Sequence, residues 1–181
     1  MSIKFNSKTI PGIRDINEIK NACYTSSDVL FLLSGNINDL KGIKEICEQN
    51  KKKLLVNIDL VNGIAKDKSF LEFLKTQNLC DGIITTKSNI INIAKKLGFI
   101  TIQRVFVIDS TSLNSISNLI EKTSPDAYEV LPSCAAKNFI QKFGSRINVI
   151  AGGLIEDLEQ VNDLIKYGVK AVSTSKNNLW L

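Results

Sequence analysis

The sequence contains no histidine, and its four cysteines are far from one another. Cys23, Cys47, Cys80 and Cys134 form no CxxC pair. This spacing argues against a structural zinc site and favours reduced thiols that serve as small apolar residues. The lack of histidine removes the commonest general base, so an enzyme built from this chain would depend on carboxylates or lysine.

Long apolar runs are also absent. The longest, such as residues 29–33, are far too short to cross a bilayer, and residues 1–6 carry no apolar block of a signal peptide. With 181 residues, 44% of them apolar, the chain can fill one core. We therefore expect a single domain over residues 1–181, in a cytoplasmic protein with no membrane partner.

Charge gives a weaker signal. The net charge of +5 suits an anionic partner such as a phosphate ester or RNA, but many soluble domains carry a similar excess. The densest basic run is Lys51, Lys52 and Lys53. We interpret it as a solvated turn between a helix and the next strand, because short lysine runs are common in turns.

Apolar periodicity alternates between strand-like and helix-like segments along the whole chain. Strand-like runs occupy residues 10–13, 29–33, 54–58, 82–85, 100–106, 127–131, 148–151 and 169–173. Helical spacing occupies residues 37–48, 69–74, 89–97, 113–122, 135–143 and 158–167, and Gly98, Gly144 and Gly168 stand where these helices would end. The alternation predicts an α/β fold, a compact TIM-barrel-like parallel (β/α) barrel.

The predicted barrel is short and lacks its final helix. Eight strands in 181 residues leave about 23 residues per unit, against roughly 31 in a typical barrel of about 250 residues. After Ser175 only six residues remain, too few for an ordinary helix, and Trp180 is expected to pack down over the end of the core. An open doubly wound sheet is the competing architecture, but five or six strands would suit it better.

Polar residues gather where the predicted strands end. In a parallel barrel these ends share one face, which carries the functional groups. Any one of these residues can be a simple cap or loop residue, but their number on one rim favours a site. They are Arg14 and Asp15, Asp59, Thr85, Thr86 and Lys87, Gln103 and Arg104, and Glu129.

The sharpest signal is a pair of turns after strands seven and eight. AGGL at residues 151–154 includes Gly152 and Gly153, and the next strand ends in Ser173, Thr174 and Ser175. Glycines let backbone N–H groups approach an anion, and a following helix N-terminus adds favourable partial charge. A tight turn explains the glycines alone, but the two turns together predict the phosphate site usual in such barrels.

A phosphate at these turns would leave the rest of a small ligand pointing toward the barrel centre. There Asp59 and Glu129 can accept hydrogen bonds from hydroxyl groups, and Arg104 or Lys87 can orient the ligand. The predicted ligand is a small phosphorylated polyol or sugar.

Motifs over almost the whole chain resemble the bacterial glycerol uptake operon antiterminator regulatory proteins, a family of glycerol-3-phosphate-responsive antiterminators. The resemblance is carried by IPGIRD at residues 10–15, NIDL at 57–60, GIITTKSN at 82–89, IQRVF at 102–106, DS at 109–110, EVLP at 129–132, IAGGLI at 150–155, VSTS at 172–175 and LW at 179–180. Where the family pattern leads us to expect histidine and arginine, this chain has Asn57 and Lys87, of which Lys87 keeps the positive charge.

This resemblance implies a regulator and no cofactor. Its ligand would be glycerol 3-phosphate, and it would act on the leader of nascent glycerol-operon messenger RNA to prevent premature termination, with or without the transcription machinery as a partner. No common RNA-binding motif is visible in the sequence. Candidate phosphate contacts are Lys95, Lys96, Lys137, Lys142 and Arg146, although a solvated helix face explains each one singly.

The alternative is a TIM-barrel enzyme, an aldolase, isomerase or synthase acting on a small phosphorylated metabolite, because the fold hosts many such activities. In that case Lys87 would form a Schiff base, with Glu129 or Asp59 moving protons. Only position supports this role, so we favour the regulator.

Overall fold

The structure is a computed structural model that describes residues 5–144 and 147–181. Eight parallel strands follow one another around a closed barrel, and β1 pairs with both β2 and β8. The predicted TIM-barrel-like α/β fold is confirmed. The strands are β1 (Thr9–Ile13), β2 (Val29–Leu32), β3 (Lys53–Asn57), β4 (Gly82–Thr85), β5 (Ile100–Phe106), β6 (Ala127–Leu131), β7 (Val149–Gly152) and β8 (Ala171–Thr174).

Helices connect successive strands around the outside. They are α1 (Ile19–Cys23), α2 (Leu40–Gln49), α3 (Lys68–Thr76), α4 (Ser88–Lys96), α5 (Ser110–Lys122), α6 (Ala136–Phe143) and α7 (Leu158–Tyr167). Asp67, Asp109 and Asp157 cap α3, α5 and α7, each accepting a backbone N–H from the first turn. Gly144 and Gly168 cap α6 and α7 as predicted, whereas α4 is capped by Leu97 and Gly98 lies one residue further on.

Two helices differ from the periodicity pattern for reasons of local geometry. No helix was predicted between β1 and β2, because the five residues of α1 are too few to show a helical period. The predicted helix 37–48 is divided: Ile37–Asp39 forms a 3-10 turn, in which Asn36 and Asp39 make a capping box, and α2 follows it.

Apolar side chains fill the barrel interior, and alternation along each strand decides what reaches its ends. The interior cluster includes Ile102 of β5, Ala127 of β6 and Ala171 of β8. Two residues further along those strands come Arg104, Glu129 and Ser173, all buried. The barrel therefore carries polar side chains inside its carboxyl-terminal end, the end where the strands finish.

Beyond β8 the chain forms a 3-10 turn, Asn177–Leu179, and residues 175–181 contain no α-helix, as predicted. Trp180 is half-buried against the outer apolar core, and its Nε1–H donates to the Thr174 carbonyl at 2.8 Å. No helix in the part of the chain that the structure describes is long and apolar enough to cross a membrane.

Candidate functional site

A cavity of about 240 Å³ opens at the carboxyl-terminal end of the barrel, beside the turns that follow β7 and β8. Its volume lies just below the range of about 300–1,000 Å³ typical of drug-sized ligands, so it suits a small metabolite. Predicted site residues line it: Arg14, Arg104, Glu129, Gly153, Ser173, Thr174 and Ser175. The predicted phosphate turns and the interior polar groups thus belong to one cavity.

The floor of the cavity is a buried hydrogen-bonded triad. Arg104 Nε donates to Glu129 Oε2 at 2.7 Å, and Ser173 Oγ donates to Glu129 Oε1 at 2.6 Å. Gly152 belongs to this floor although it does not line the cavity, because a Cβ there would stand 2.6 Å from Ser173 Oγ and 3.1 Å from Glu129 Oε1. Glycine at this position is what lets the serine and the carboxylate meet.

The turn after β7 has an unusual backbone. Gly153 has φ +75° and Leu154 has φ +57°, so two successive residues adopt the left-handed conformation. Leucine in that region costs of order 1–3 kcal/mol, and its side chain is 73% exposed. Such strain is typical of turns that are held in place for a ligand.

Three backbone N–H groups at these two turns have no hydrogen-bond acceptor in the part of the protein that the structure describes. The N–H groups of Gly153, Leu154 and Ser175 donate to no protein acceptor within residues 5–144 and 147–181, and all three residues line the cavity. Unpaired backbone N–H groups grouped in turns form anion-binding concavities. The two turns can therefore hold a phosphate through main-chain donors.

The side-chain charges of the cavity leave one cation without a carboxylate. Arg104 is paired with Glu129, and Lys176 at the rim is paired with Glu156. Arg14 donates from Nε to Ser175 Oγ at 3.3 Å and makes no ion pair among the described residues. Its remaining N–H groups are free to bind an anion next to the Ser175 turn.

One expected contribution to anion binding is missing. The N-terminus of the helix after β7 was expected to add favourable charge at the phosphate. This helix, α7, begins at Leu158 as predicted, but no residue of its first turn lines the cavity. Its first turn is capped by Asp157, which accepts the Gln160 N–H at 2.8 Å. The Asp157 carboxylate thus occupies one donor of that helix end, and the backbone donors that line the cavity belong to the turns.

Asp59 and Lys87 do not line this cavity, in contrast to their predicted role beside the ligand. Asp59 accepts hydrogen bonds from Thr85 Oγ1, from Thr86 Oγ1 and, at 2.7 Å, from the Thr86 backbone N–H, and lies 3.6 Å from Lys66 Nζ. Its oxygens therefore brace the β4–α4 turn. Lys87 is the exposed residue that precedes α4.

Asn57, where the family pattern led us to expect histidine, is buried in β3 close to this turn. Its Oδ1 accepts the Asp59 backbone N–H at 3.0 Å, while its Nδ2 has no partner in the described structure. The Asn57 amide therefore has an unused donor beneath the β3 end, at a cost in stability.

Some cavity residues escaped sequence reasoning. Lys176 and Glu156 form the rim pair, and Leu33, Leu131 and Ile155 give the cavity an apolar wall. Lys176 directly follows the predicted Ser175, so extending the phosphate turn by one residue would have found it. Nothing in the local sequence marks Glu156, because its role depends on a contact between two separate loops.

The predicted RNA contacts are dispersed. Lys95, Lys96 and Lys142 lie in the last turns of α4 and α6, away from the cavity, and Arg146 falls outside the described residues. Lys137 lies in the first turn of α6, with its Nζ 5.5 Å from the centre of the Tyr167 ring.

Comparison with known proteins agrees with the resemblance seen in the motifs. A family model described as glycerol-3-phosphate responsive antiterminator matches residues 9–180. The chain belongs to this family. Membership supports a regulatory role rather than catalysis.

Two solved structures of similar proteins match the family fold over nearly the whole chain. A glycerol uptake operon antiterminator regulatory protein from Listeria monocytogenes is 37% identical, with a TM-score of 0.88 over 97% of this chain and 95% of that one. An antiterminator-related protein from Thermotoga maritima is 34% identical, with a TM-score of 0.86 over 96% and 98%.

A curated relative, YgcP of Escherichia coli K12, is 31% identical over 174 residues, which span 94% of this chain and 90% of that protein. Enzymes also share the barrel. A deoxyribose phosphate aldolase from Aeropyrum pernix has a TM-score of 0.69 but only 12% identity, which is a likeness of fold alone.

Proposed function

We propose that this antiterminator family member senses glycerol 3-phosphate in the cavity at the carboxyl-terminal end of the barrel. Ligand occupancy then controls its action on the leader messenger RNA of glycerol-utilisation genes. The phosphate binds between the turns after β7 and β8, and the glycerol part lies over the triad of Arg104, Glu129 and Ser173.

This proposal rests on one observation, the position of Arg14 beside backbone N–H groups that have no protein acceptor. An arginine without a carboxylate partner stands beside turns whose Gly153, Leu154 and Ser175 N–H groups donate to no protein acceptor in the described structure. A phosphate dianion satisfies all of these donors at once, through charge-assisted hydrogen bonds.

The groups on the floor of the cavity suit a ligand that carries hydroxyl groups. Each Glu129 oxygen already accepts one hydrogen bond, but a carboxylate has about four lone-pair sites. The carboxylate can thus accept hydroxyl hydrogens of the glycerol part as well. Because the cavity is small and partly walled by Leu33 and Leu131, it favours a three-carbon ligand over a long sugar phosphate.

Regulation requires that the ligand bind the RNA-competent and RNA-incompetent states with different affinities, since equal affinities shift no equilibrium. The turn 153–155 is the segment that such a ligand would contact directly. Leu154, which follows Gly153 and also has a positive φ, is exposed at the rim of the cavity.

Calorimetric titration of the protein with glycerol 3-phosphate tests the sensing step. Glycerol and inorganic phosphate are the matched controls, because each presents one half of the ligand. We expect glycerol 3-phosphate to bind much more tightly than either. Equal affinity for phosphate alone would contradict recognition of the glycerol part, and no binding by folded protein would contradict the sensor.

A gel shift with leader RNA, with and without glycerol 3-phosphate, tests the output. We expect the ligand to strengthen RNA binding, and by linkage the RNA to strengthen ligand binding by the same factor. RNA binding that ignores the ligand would contradict ligand-gated regulation.

A further inference from the structure

Lysine is concentrated at the amino-terminal end of the barrel, the end opposite the cavity. The helices run back toward this end, and six of them carry lysine in their last turn. These lysines are Lys20, Lys75, Lys95, Lys96, Lys122, Lys142 and Lys166. Cations at helix C-termini interact favourably with the helix dipole, which accounts for part of the pattern.

The helix dipole does not account for the lysines in the loops that lead into the strands. Lys8 precedes β1, Lys51 and Lys52 precede β3, Lys53 begins it, and Lys170 precedes β8. Several lysines at this end are exposed and make no side-chain hydrogen bond or ion pair within the described residues. They are Lys51, Lys53, Lys96, Lys122, Lys166 and Lys170.

Two acidic residues at the same end already accept hydrogen bonds from the protein itself. Asp81 accepts hydrogen bonds from Lys44 Nζ and the Leu54 N–H, and Asp126 accepts the Thr101 N–H at 2.8 Å. Asp28, directly before β2, and Glu121, next to Lys122, are exposed carboxylates at this end, but the lysines there outnumber the acidic residues. This face therefore carries a positive potential that attracts polyanions.

An exposed aromatic ring lies on the same face. Tyr24, at the end of α1, is 84% exposed. The loop that follows it is tied to the lysine run, because Lys52 Nζ donates to the Thr25 carbonyl at 2.6 Å and to the Ser27 carbonyl at 2.8 Å. The loop that follows Tyr24 and the loop that carries Lys51 and Lys53 are therefore neighbours at this end of the barrel.

We propose that the amino-terminal face around Tyr24, Lys51 and Lys53 binds single-stranded RNA. The lysines contact phosphates and the Tyr24 ring stacks on an unpaired base, the combination that single-strand binders use. This inference rests on the proposed action of the protein on RNA and adds the surface that performs it.

The location has a mechanistic consequence. RNA and glycerol 3-phosphate bind at opposite ends of the barrel, so the ligand cannot touch the RNA. Coupling between the two must pass through a change of the protein itself, in which the strands or their connecting loops shift between two states.

Fluorescence anisotropy with a labelled single-stranded RNA of about 16 nucleotides tests the surface, with salt varied between about 50 and 200 mM. The variant Lys51→Gln/Lys53→Gln removes two charges from it. The matched control Lys41→Gln/Lys87→Gln removes two exposed lysines at the opposite end, one from the first turn of α2 and one directly before α4. Calorimetry with glycerol 3-phosphate checks that each variant keeps a working cavity.

We expect Lys51→Gln/Lys53→Gln to weaken RNA binding by on the order of tenfold per lysine at low salt and to reduce the salt slope by about 1.4, whereas the control changes neither. Tyr24→Ala should weaken binding roughly tenfold without changing the salt slope, and Tyr24→Phe should restore it, because stacking needs the ring and not the hydroxyl.

Each contrary result has its own meaning. Equal losses in Lys51→Gln/Lys53→Gln and in the control would overturn the surface but leave RNA binding standing. Wild-type protein that binds glycerol 3-phosphate but no RNA, at any salt, would overturn both the surface and the RNA half of the proposed function, and would point to a protein partner.

Discussion

Arg104 Nε and Glu129 Oε2 lie 2.7 Å apart inside the carboxyl-terminal end of the barrel, where both side chains are almost wholly buried. A buried ion pair is costly to desolvate, and its attraction only offsets that cost when both partners are present. Apolar residues would fill the same space at no such cost. The pair is therefore better explained by ligand binding than by stability.

Replacing one partner of this ion pair should destabilise the protein far more than replacing both. Glu129→Gln leaves the Arg104 charge buried and unpaired, and should lower the free energy of unfolding by about 3 kcal/mol. The double variant Arg104→Met/Glu129→Leu should recover most of this stability while losing glycerol 3-phosphate binding. Urea denaturation measures the stability of both variants, and calorimetry measures their ligand binding. A Glu129→Gln variant as stable as wild type would contradict the argument that Arg104 depends on the Glu129 charge.

The thiols should separate into one reactive and three unreactive groups. Cys134 is exposed, while Cys23, Cys47 and Cys80 are buried, and burial raises the pKa of Cys80 to about 12. Because the thiolate is the nucleophile, Cys80 should stay unreactive from about pH 7 to pH 10 and react only near its raised pKa.

Ellman's reagent added to native protein should therefore label one thiol per chain, and denaturant should release the other three. Cys134→Ser is the matched control, which should abolish the native reaction. Fast labelling of a second thiol in native protein would contradict the burial of the other cysteines.

Much of the fold follows from the sequence, because its signals are local and repeated. Each strand is a short apolar run bounded by turn residues, and eight of them in a row leave few alternatives to a closed barrel. The two turns that line the cavity were predictable for the same reason, since Gly153 and Ser175 directly follow strands seven and eight.

The contacts between side chains were harder to predict from the sequence. Whether Asp59 faces a ligand or the Thr86 N–H depends on how the β4–α4 turn folds over it, which no local pattern records. The free Arg14 is a similar case, because its lack of a carboxylate depends on where the acidic residues of distant loops lie. Sequence reasoning thus found the rim of the site but not the pairings within it.

Lys87 allows a direct test against the aldolase-like alternative. A Schiff-base lysine is activated by desolvation or by a neighbouring cation, but Lys87 is exposed and lies outside the cavity. Borohydride treatment in the presence of phosphorylated ketones and aldehydes should leave it unmodified by mass spectrometry, as in the Lys87→Met control. A covalent adduct at Lys87 in the wild type alone would contradict a purely sensory role.

Arg14 should carry much of the affinity for the phosphate. Replacing a charged hydrogen-bond donor costs about 1.5–3 kcal/mol, so Arg14→Gln should weaken glycerol 3-phosphate binding roughly 10- to 150-fold in calorimetry. Lys87→Gln removes a positive charge outside the cavity and should change the affinity less than about twofold. A larger loss for Lys87→Gln than for Arg14→Gln would place the ligand near β4 instead.

Gly153 offers the sharpest test of the phosphate position, because two substitutions differ there only in charge. At φ +75° both asparagine and aspartate are tolerated better than other side chains, and a Cβ would meet only Leu131 Cδ2 at 3.6 Å. Gly153→Asn and Gly153→Asp should thus lose similar stability, about 1 kcal/mol each.

Their ligand binding should differ sharply. The carboxylate of Gly153→Asp stands against the phosphate and should abolish glycerol 3-phosphate binding, while the neutral amide of Gly153→Asn should keep it within about tenfold. Calorimetry after a urea check of folding measures this contrast. Normal binding by Gly153→Asp would refute the assignment of the phosphate to this turn, whereas equal loss in both variants would mean that the turn needs glycine for its shape and not for its neutrality.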